Sequence, residues 1–453
     1  MRILFVKPQF NNYAFVQHFM VCEPLEFEML AAAVGGAHDV RVVDLRVDPV
    51  SLEAHLEEYE PDVVGFTALT MDVNTVLGLA RRVKSHHPEI VTCVGGEHAS
   101  FRPEDFGAPS IDFVFQYDAL STFPRLLPEI ERIRRTFGRA SRLHEHLPRL
   151  QRNQSVNDAA STTLMPRRDL CDRYLPKYIY GCANPVNLIQ TTAGCPFRCT
   201  YCSIPSRQLR YVRRDVEAVL EDMAATKATD LLSIDANALQ DVKGSLVLYE
   251  EIARAKLKKR LMISCRTDTI VRHTELLEVL KRAGVSVIAF GIENFDDQTL
   301  ADYEKKNTAE NNRRAVELVH EHGMLVRANF IVEQRFVADD FRRLVDHILR
   351  LRIEFPTFQI LTPLPGTKFF DEKKGDILTT NLDYFDLSHT VLPTRLPTED
   401  FYKEFQRLFR VCYGPKRLLW LTSRLPLVPA VRGVTVALRS HLGFSYRTQP
   451  TEA

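Results

Sequence analysis

The sequence predicts an α/β protein: a parallel sheet covered by helices, then a partial (β/α)6 barrel, then a helical C-terminal cap. Three observations predict it. Short apolar runs alternate with helical periodicity over residues 1–137, the pattern of a parallel sheet buried on both faces. The same alternation restarts at residue 186 and yields repeated strand–helix units up to residue 375. Residues 376–453 lose the strand pattern and read as helices. At 453 residues, 45% of them hydrophobic and 26% charged, the chain is long enough for two or three globular domains.

In the first half, strands are expected over 3–6, 40–45, 63–67, 91–94 and 113–115, with helices over 23–34, 52–59, 73–83 and 123–137. This is a Rossmann-like domain spanning 1–137. A ligand of such a sheet belongs at the carboxyl ends of its strands. The turns there are Lys7-Pro8-Gln9, Ala68-Leu69-Thr70-Met71 and Gly95-Gly96-Glu97-His98. Paired glycines let a backbone approach a ligand closely. No G-x-G-x-x-G follows the first strand, which excludes the usual dinucleotide fingerprint. Residues 138–185 have few apolar repeats and read as a linker or mobile loop. Their arginines (Arg139, Arg142, Arg149, Arg152) read as a solvated surface.

In the second half, strands are expected over 186–191, 231–235, 262–266, 287–291, 326–332 and 358–362. Helices fit 216–226, 246–255, 274–283, 308–322 and 338–349. Strand ends carry the function of such barrels. Arg266 and Asp268 end the third strand, Gly291-Ile292-Glu293 the fourth, and Asp235 with Asn237 the second.

The first strand of this barrel runs into Cys195-Pro196-Phe197-Arg198-Cys199-Thr200-Tyr201-Cys202, a C-x3-C-x2-C loop. Thiolates are the ligands of iron–sulfur clusters, and three of them leave one iron of a cubane open. Zinc would require a fourth ligand nearby, and three cysteines so close together do not form a disulfide framework. With Tyr201 before the last cysteine, the motif resembles the radical S-adenosylmethionine (SAM) superfamily. The resemblance implies that Cys195, Cys199 and Cys202 hold a [4Fe–4S] cluster whose open iron chelates SAM. Reduction then cleaves SAM to a 5′-deoxyadenosyl radical. It further implies Tyr201 against the adenine, Glu293 at the ribose or amino group and Arg266 at the carboxylate. The Gly-Gly-Glu expected near Asp235 is absent.

Ahead of such a barrel, the first domain resembles the cobalamin-binding domain of class B radical SAM enzymes. The resemblance rests on Gly95-Gly-Glu-His-Ala-Ser100, on Asp62-Val-Val-Gly-Phe and on Glu23-Pro-Leu. It implies cobalamin at Leu69, Thr70, Met71, Gly95, Gly96 and His98. No D-x-H-x-x-G is present, so cobalamin is expected base-off, with His98 read either as a cobalt ligand or as a turn-stabilising residue. Gln116-Tyr117-Asp118-Ala119 replaces the family's Gly-Glu-rich turn. Glu23-Pro-Leu and the run from His389 to Pro397 most resemble the hopanoid C-3 methylase branch.

Net charge of +1 gives no reason to expect nucleic acid. No apolar window is long enough to span a membrane, and the N-terminal apolar run is too short for a signal peptide. Nine cysteines then suggest the reducing cytosol. Residues 415–444 mix basic and apolar side chains without an acid, as an interfacial segment or a docking helix pair would. A cytoplasmic enzyme is expected, with possible peripheral contact at the inner membrane face. The resemblance implies methylation of an unactivated carbon on an apolar or lipid substrate, with flavodoxin or ferredoxin as electron donor. Radical cyclisation or rearrangement, and a non-catalytic cobalamin or redox sensor, are the alternatives.

Overall fold

The computed structural model describes residues 1–10, 20–138, 143–152, 160–207 and 211–422. Six strands form the first sheet: β1 (Arg2–Lys7), β2 (Asp39–Asp44), β3 (Val63–Thr67), β4 (Val91–Gly95), β5 (Phe113–Gln116) and β6 (Leu150–Arg152). Their order is β2-β1-β3-β4-β5-β6, all parallel. Side chains alternate between two cores. Ile3, Phe5, Val63 and Phe113 pack under helices Leu25–Val34 and Ala119–Phe137, while Leu4, Val6, Val64 and Val114 pack under Leu52–Tyr59 and Val73–His86.

A second parallel sheet runs in chain order: β7 (Val186–Ile189), β8 (Asp230–Ser233), β9 (Arg260–Cys265), β10 (Val285–Glu293), β11 (Leu325–Val332) and β12 (Phe355–Ile360). Ile263, Ile288, Phe290, Val326, Phe330 and their neighbours face the outer helices in one large core. The remaining face is the concave wall of a half-barrel. Helix Thr398–Cys412 closes the outer layer, burying Phe401, Phe405 and Leu408 against helix Ala338–Arg350 and its core.

The stretch expected as a linker is partly built into the fold. Leu150–Arg152 extends the first sheet beside β5, too short to show in a periodicity reading. Arg149 is not a solvated cation: it donates to the carbonyls of Gly107 and Phe106, both at 3.0 Å, and of Ala108. Arg152 lies over the Tyr117 ring at 5.9 Å, whereas Arg139 and Arg142 fall outside the described residues.

The two sheets are stapled by the buried Arg168. It donates to Glu23 at 2.5 Å and Glu28 at 3.3 Å from the first domain, and to Asp222 and the Leu188 carbonyl, at 3.0 and 2.8 Å, from the barrel. Arg214 takes the other oxygen of Asp222 at 2.8 Å. Burial, with Glu23 close by, pushes the Glu28 carboxyl well above its ordinary range.

Of the expected basic-apolar tail, only its start is described. Helix Pro415–Thr422 buries Leu418 and Leu421 beside Phe355 and Tyr413, and Arg417 stacks on Trp420 at 3.6 Å. This part is a docking helix; residues 423–444 lie outside the described residues. Among the described residues no helix is long and apolar enough to cross a membrane.

Candidate functional site

The cysteine loop follows β7 and is held from three sides. The Thr191 and Thr192 amides donate to Asp235 at 2.8 and 2.7 Å, and the Thr191 and Ser233 hydroxyls donate to it at 2.5 and 2.8 Å. Asp235 is thus consumed in fixing the entry to the loop. The Thr200 amide donates to the Tyr303 carbonyl at 3.0 Å, and the Phe369 amide to the Thr200 carbonyl at 2.9 Å. Phe197, between the first two cysteines, carries the Arg266 guanidinium 3.7 Å above its ring. Cys195, Cys199 and Cys202 are half-buried free thiols. Burial first, then the neighbouring cysteines, pushes the Cys202 thiol up to about 11. Among the described residues no three His, Cys, Asp or Glu side chains converge on a single-ion position. Thiolates that each hold a different iron do not need to converge in that way.

The barrel rim beside this loop is charged and buried. Glu293 ends β10 with φ +62° and accepts from Lys305 at 2.8 Å; both side chains are about nine-tenths buried. Lys305 also reaches the Tyr201 hydroxyl at 3.3 Å. The Tyr201 ring meets Tyr303 edge-on at 5.2 Å. Arg266 donates to Asp268 at 2.9 Å and to the Lys306 carbonyl at 2.8 Å. A Cβ at Gly291 would lie 2.3 Å from Glu293 Oε1 and 2.8 Å from Lys305 Nζ, so any larger residue there would push on this pair. Lys305 was not legible in the sequence: it follows the short helix Asp297–Asp302 rather than a strand, and a single lysine carries no signal. Tyr201, Arg266 and Glu293 are brought together around it.

The rim of the first sheet is built differently. Gly96 has φ +100°, and a Cβ there would lie 2.7 Å from the Ala68 amide nitrogen and 2.8 Å from its carbonyl oxygen. The β3 and β4 turns therefore touch through backbone. His98 is buried behind them: Nε2 donates to Asp105 at 2.9 Å and Nδ1 accepts from Thr70 at 3.1 Å. Neither ring nitrogen keeps a lone pair for cobalt, so the cobalt-ligand reading gives way to the turn-stabilising one. Burial lowers the His98 pKa. Leu69 is 48% exposed, while Thr70 is buried. Met71 lies in the short helix Thr70–Asp72 that leads away from Leu69. In the atypical turn after β5, Tyr117 adopts φ +69°, the backbone conformation that glycine takes readily, and its amide donates to Ser100. Gln116 donates to the Ser100 carbonyl at 2.9 Å and keeps a buried Oε1 without a partner.

Polar and packing contacts join the rims. Ser203, one residue past Cys202, donates to Glu97 at 2.5 Å. The ring of Phe101 fills the space that a side chain at Gly366 would take, with its nearest atom 2.3 Å from that Cβ position.

The donor set fits the groups the motifs imply. Three thiols on one braced loop suit a cluster. The adjoining Glu293, Lys305 and Arg266 offer both signs of charge to a zwitterion such as SAM. The glycine cradle, the exposed Leu69 and the orphaned Gln116 oxygen suit a large, mostly apolar macrocycle with amide arms.

Comparison with known proteins agrees. Residues 19–127 match the B12 binding domain and residues 189–348 the radical SAM superfamily. The hopanoid C-3 methylase of Methylococcus capsulatus is 30% identical, over 97% of this chain and 86% of its own. The bacteriochlorophyllide d C-12(1)-methyltransferase of Chlorobaculum tepidum is 24% identical, over 94% and 90%. The radical SAM methyltransferase TsrM of Kitasatospora setae, solved with cobalamin and a [4Fe–4S] cluster, shares the fold over 98% of this chain and 96% of that one, with TM-score 0.65 and 17% identity. A chain with both halves of this architecture in sequence, and a relative matched along nearly its whole length, belongs to the cobalamin-dependent radical SAM methyltransferase family.

Proposed function

We propose that this protein methylates an unactivated carbon of an apolar substrate of the hopanoid or terpenoid kind, or of a secondary metabolite of similar character. The observation that supports this most is the meeting of the two rims through Ser203 and Glu97. An unactivated carbon has no electron pair to attack a methyl group, so hydrogen must be removed first, beside a methyl donor. When bound, the cofactors supply a 5′-deoxyadenosyl radical and a transferable methyl group. The chain supplies placement and dryness. Cys195, Cys199 and Cys202 hold the cluster. Arg266, Glu293, Lys305 and Tyr201 hold SAM against it. Gly95, Gly96, Leu69, Thr70 and Met71 receive cobalamin, with His98 bracing their turns. A flavodoxin or ferredoxin delivers the electron. The hopanoid assignment leans on the 30% identical methylase, and the basic, apolar composition of 423–444 suits delivery from an anionic membrane surface.

The test is product analysis after anaerobic reconstitution with trideuteromethyl SAM, cobalamin, reductant and a terpenoid-rich lipid extract. A product carrying the intact trideuteromethyl group is expected, and it should vanish in the Cys195→Ala, Cys199→Ala, Cys202→Ala triple variant. A rearranged, unlabelled product made with 5′-deoxyadenosine would overturn methylation in favour of cyclisation or rearrangement. Cobalamin binding without any SAM cleavage would favour a sensor.

A further inference from the structure

The concave wall of the half-barrel carries a cation that the site described so far does not use. Along β11, Val326, Ala328, Phe330 and Val332 face the outer helices and are wholly buried, so Leu325, Arg327 and Asn329 alternate onto the concave side. Arg327 lies near the start of the strand, six residues before Glu333 at its rim, or about 20 Å away at the rise of a strand. That distance separates it from the charged cluster around Lys305.

Among the described residues Arg327 has neither an ion-pair nor a hydrogen-bond partner; its one contact of note is the Tyr180 ring, 4.8 Å from the guanidinium carbon. Burial without a carboxylate nearby pushes its pKa down to about 10. Three cations act on the thiol of Cys22, which lies between the sheet rim and the barrel wall: Arg46, Arg327 and Lys7. Arg46 is paired with Asp44 at 2.7 Å and Lys7 with Glu26 at 2.8 Å, which leaves Arg327 as the unneutralised one of the three. Two residues along β11, Asn329 accepts from Thr357 at 2.6 Å, and its amide nitrogen has no partner among the described residues. Half-buried Met262 of β9 and Leu325 of β11 lie on the same concave face.

A half-buried guanidinium with no carboxylate beside it, set in an apolar wall, offers its donors to an anion. We infer that Arg327, with Asn329 beside it, anchors an anionic headgroup, a carboxylate or a phosphate, on an otherwise apolar substrate lying along the concave wall. Resting on the methyl-transfer reading, this narrows the substrate class: the molecule is amphiphilic, not a neutral hydrocarbon, and its anion points down the barrel while the carbon to be methylated lies toward the rim. An arginine fork presents paired donors to either anion.

The experiment is calorimetric titration of the full chain loaded with cluster, cobalamin and SAM. The probes are a tricyclic diterpenoid carboxylate, its methyl ester, and a long-chain monoalkyl phosphate. At least tenfold tighter binding of the carboxylate or the phosphate than of the ester is expected, and the preferred anion identifies the headgroup. Arg327→Met should erase the preference, and Arg327→Lys should keep part of it. Equal affinity for acid and ester, or binding of none of the three probes, would overturn the inference without needing a variant to fold. A preference unchanged in Arg327→Met would overturn it too. Because both cofactors are already bound, an anion of either one occupying Arg327 would also show as a missing preference. Failure of the methyl-transfer reading is seen separately, as absent 5′-deoxyadenosine or an unlabelled product in the wild-type protein.

Discussion

The two strand-end rims that face each other in this molecule solve recognition by opposite means. At the first sheet, polar side chains are satisfied among themselves: His98 is spent on Thr70 and Asp105, and the surface left is glycine backbone and a leucine. At the barrel, charges are buried and kept close, with Glu293, Lys305 and Arg266 ringed about the cysteine loop. Shape and backbone suit a large macrocycle that presents many weak contacts. Paired charges suit a small zwitterion that must be oriented on one iron. Two cofactors of very different size can therefore adjoin without competing for the same donors.

The sharpest way to break this comparison is at Lys305. Lys305→Met leaves Glu293 buried without its counter-charge, and loss of one partner of such a pair costs about 3–5 kcal/mol. SAM affinity, measured by equilibrium dialysis, should fall at least tenfold, while cobalamin uptake stays within twofold of wild type. Equal loss of both would show that the rims act as one site. Gly96→Ala should do the converse. Its Cβ enters the Ala68 backbone at a positive φ, a strain of about 1–3 kcal/mol. Cobalamin retention on desalting should drop while the iron–sulfur absorbance remains; normal retention would mean that the cradle is not used.

The smallest expected effect is at His98. Its imidazole is held neutral in the fold, with a pKa below the ordinary value of about 6.5. The folded state thus binds fewer protons than the unfolded one. The contribution to stability is intact above pH ~6.5 and is lost as pH falls through the folded value. Melting temperature should decline over that acidic range, and His98→Gln should flatten the decline. An unchanged slope would remove His98 from the account.

The sequence exposed most of this fold because both sheets are parallel. Their strands are continuous apolar runs such as Ile3-Leu4-Phe5-Val6, separated by amphipathic helices, and few other arrangements produce that pattern. What it hid was short or distant. The three-residue β6 has no period to detect, and the helices Thr267–Arg272 and Asp297–Asp302 are shorter than two turns. The cysteine loop was legible because spacing alone encodes it. Lys305, Arg168 and Arg327 were not, because their meaning comes from which carboxylates the fold brings to them or withholds.

Arg168 carries a further consequence. It belongs to the connecting segment, yet its guanidinium is neutralised by acids from both lobes, Glu23 and Glu28 on one side and Asp222 on the other. Separate either lobe, and those buried carboxylates lose their shared counter-ion. The halves are therefore not interchangeable modules joined by a tether, and a chimera that swaps one lobe for a relative's inherits a mismatched set of buried charges.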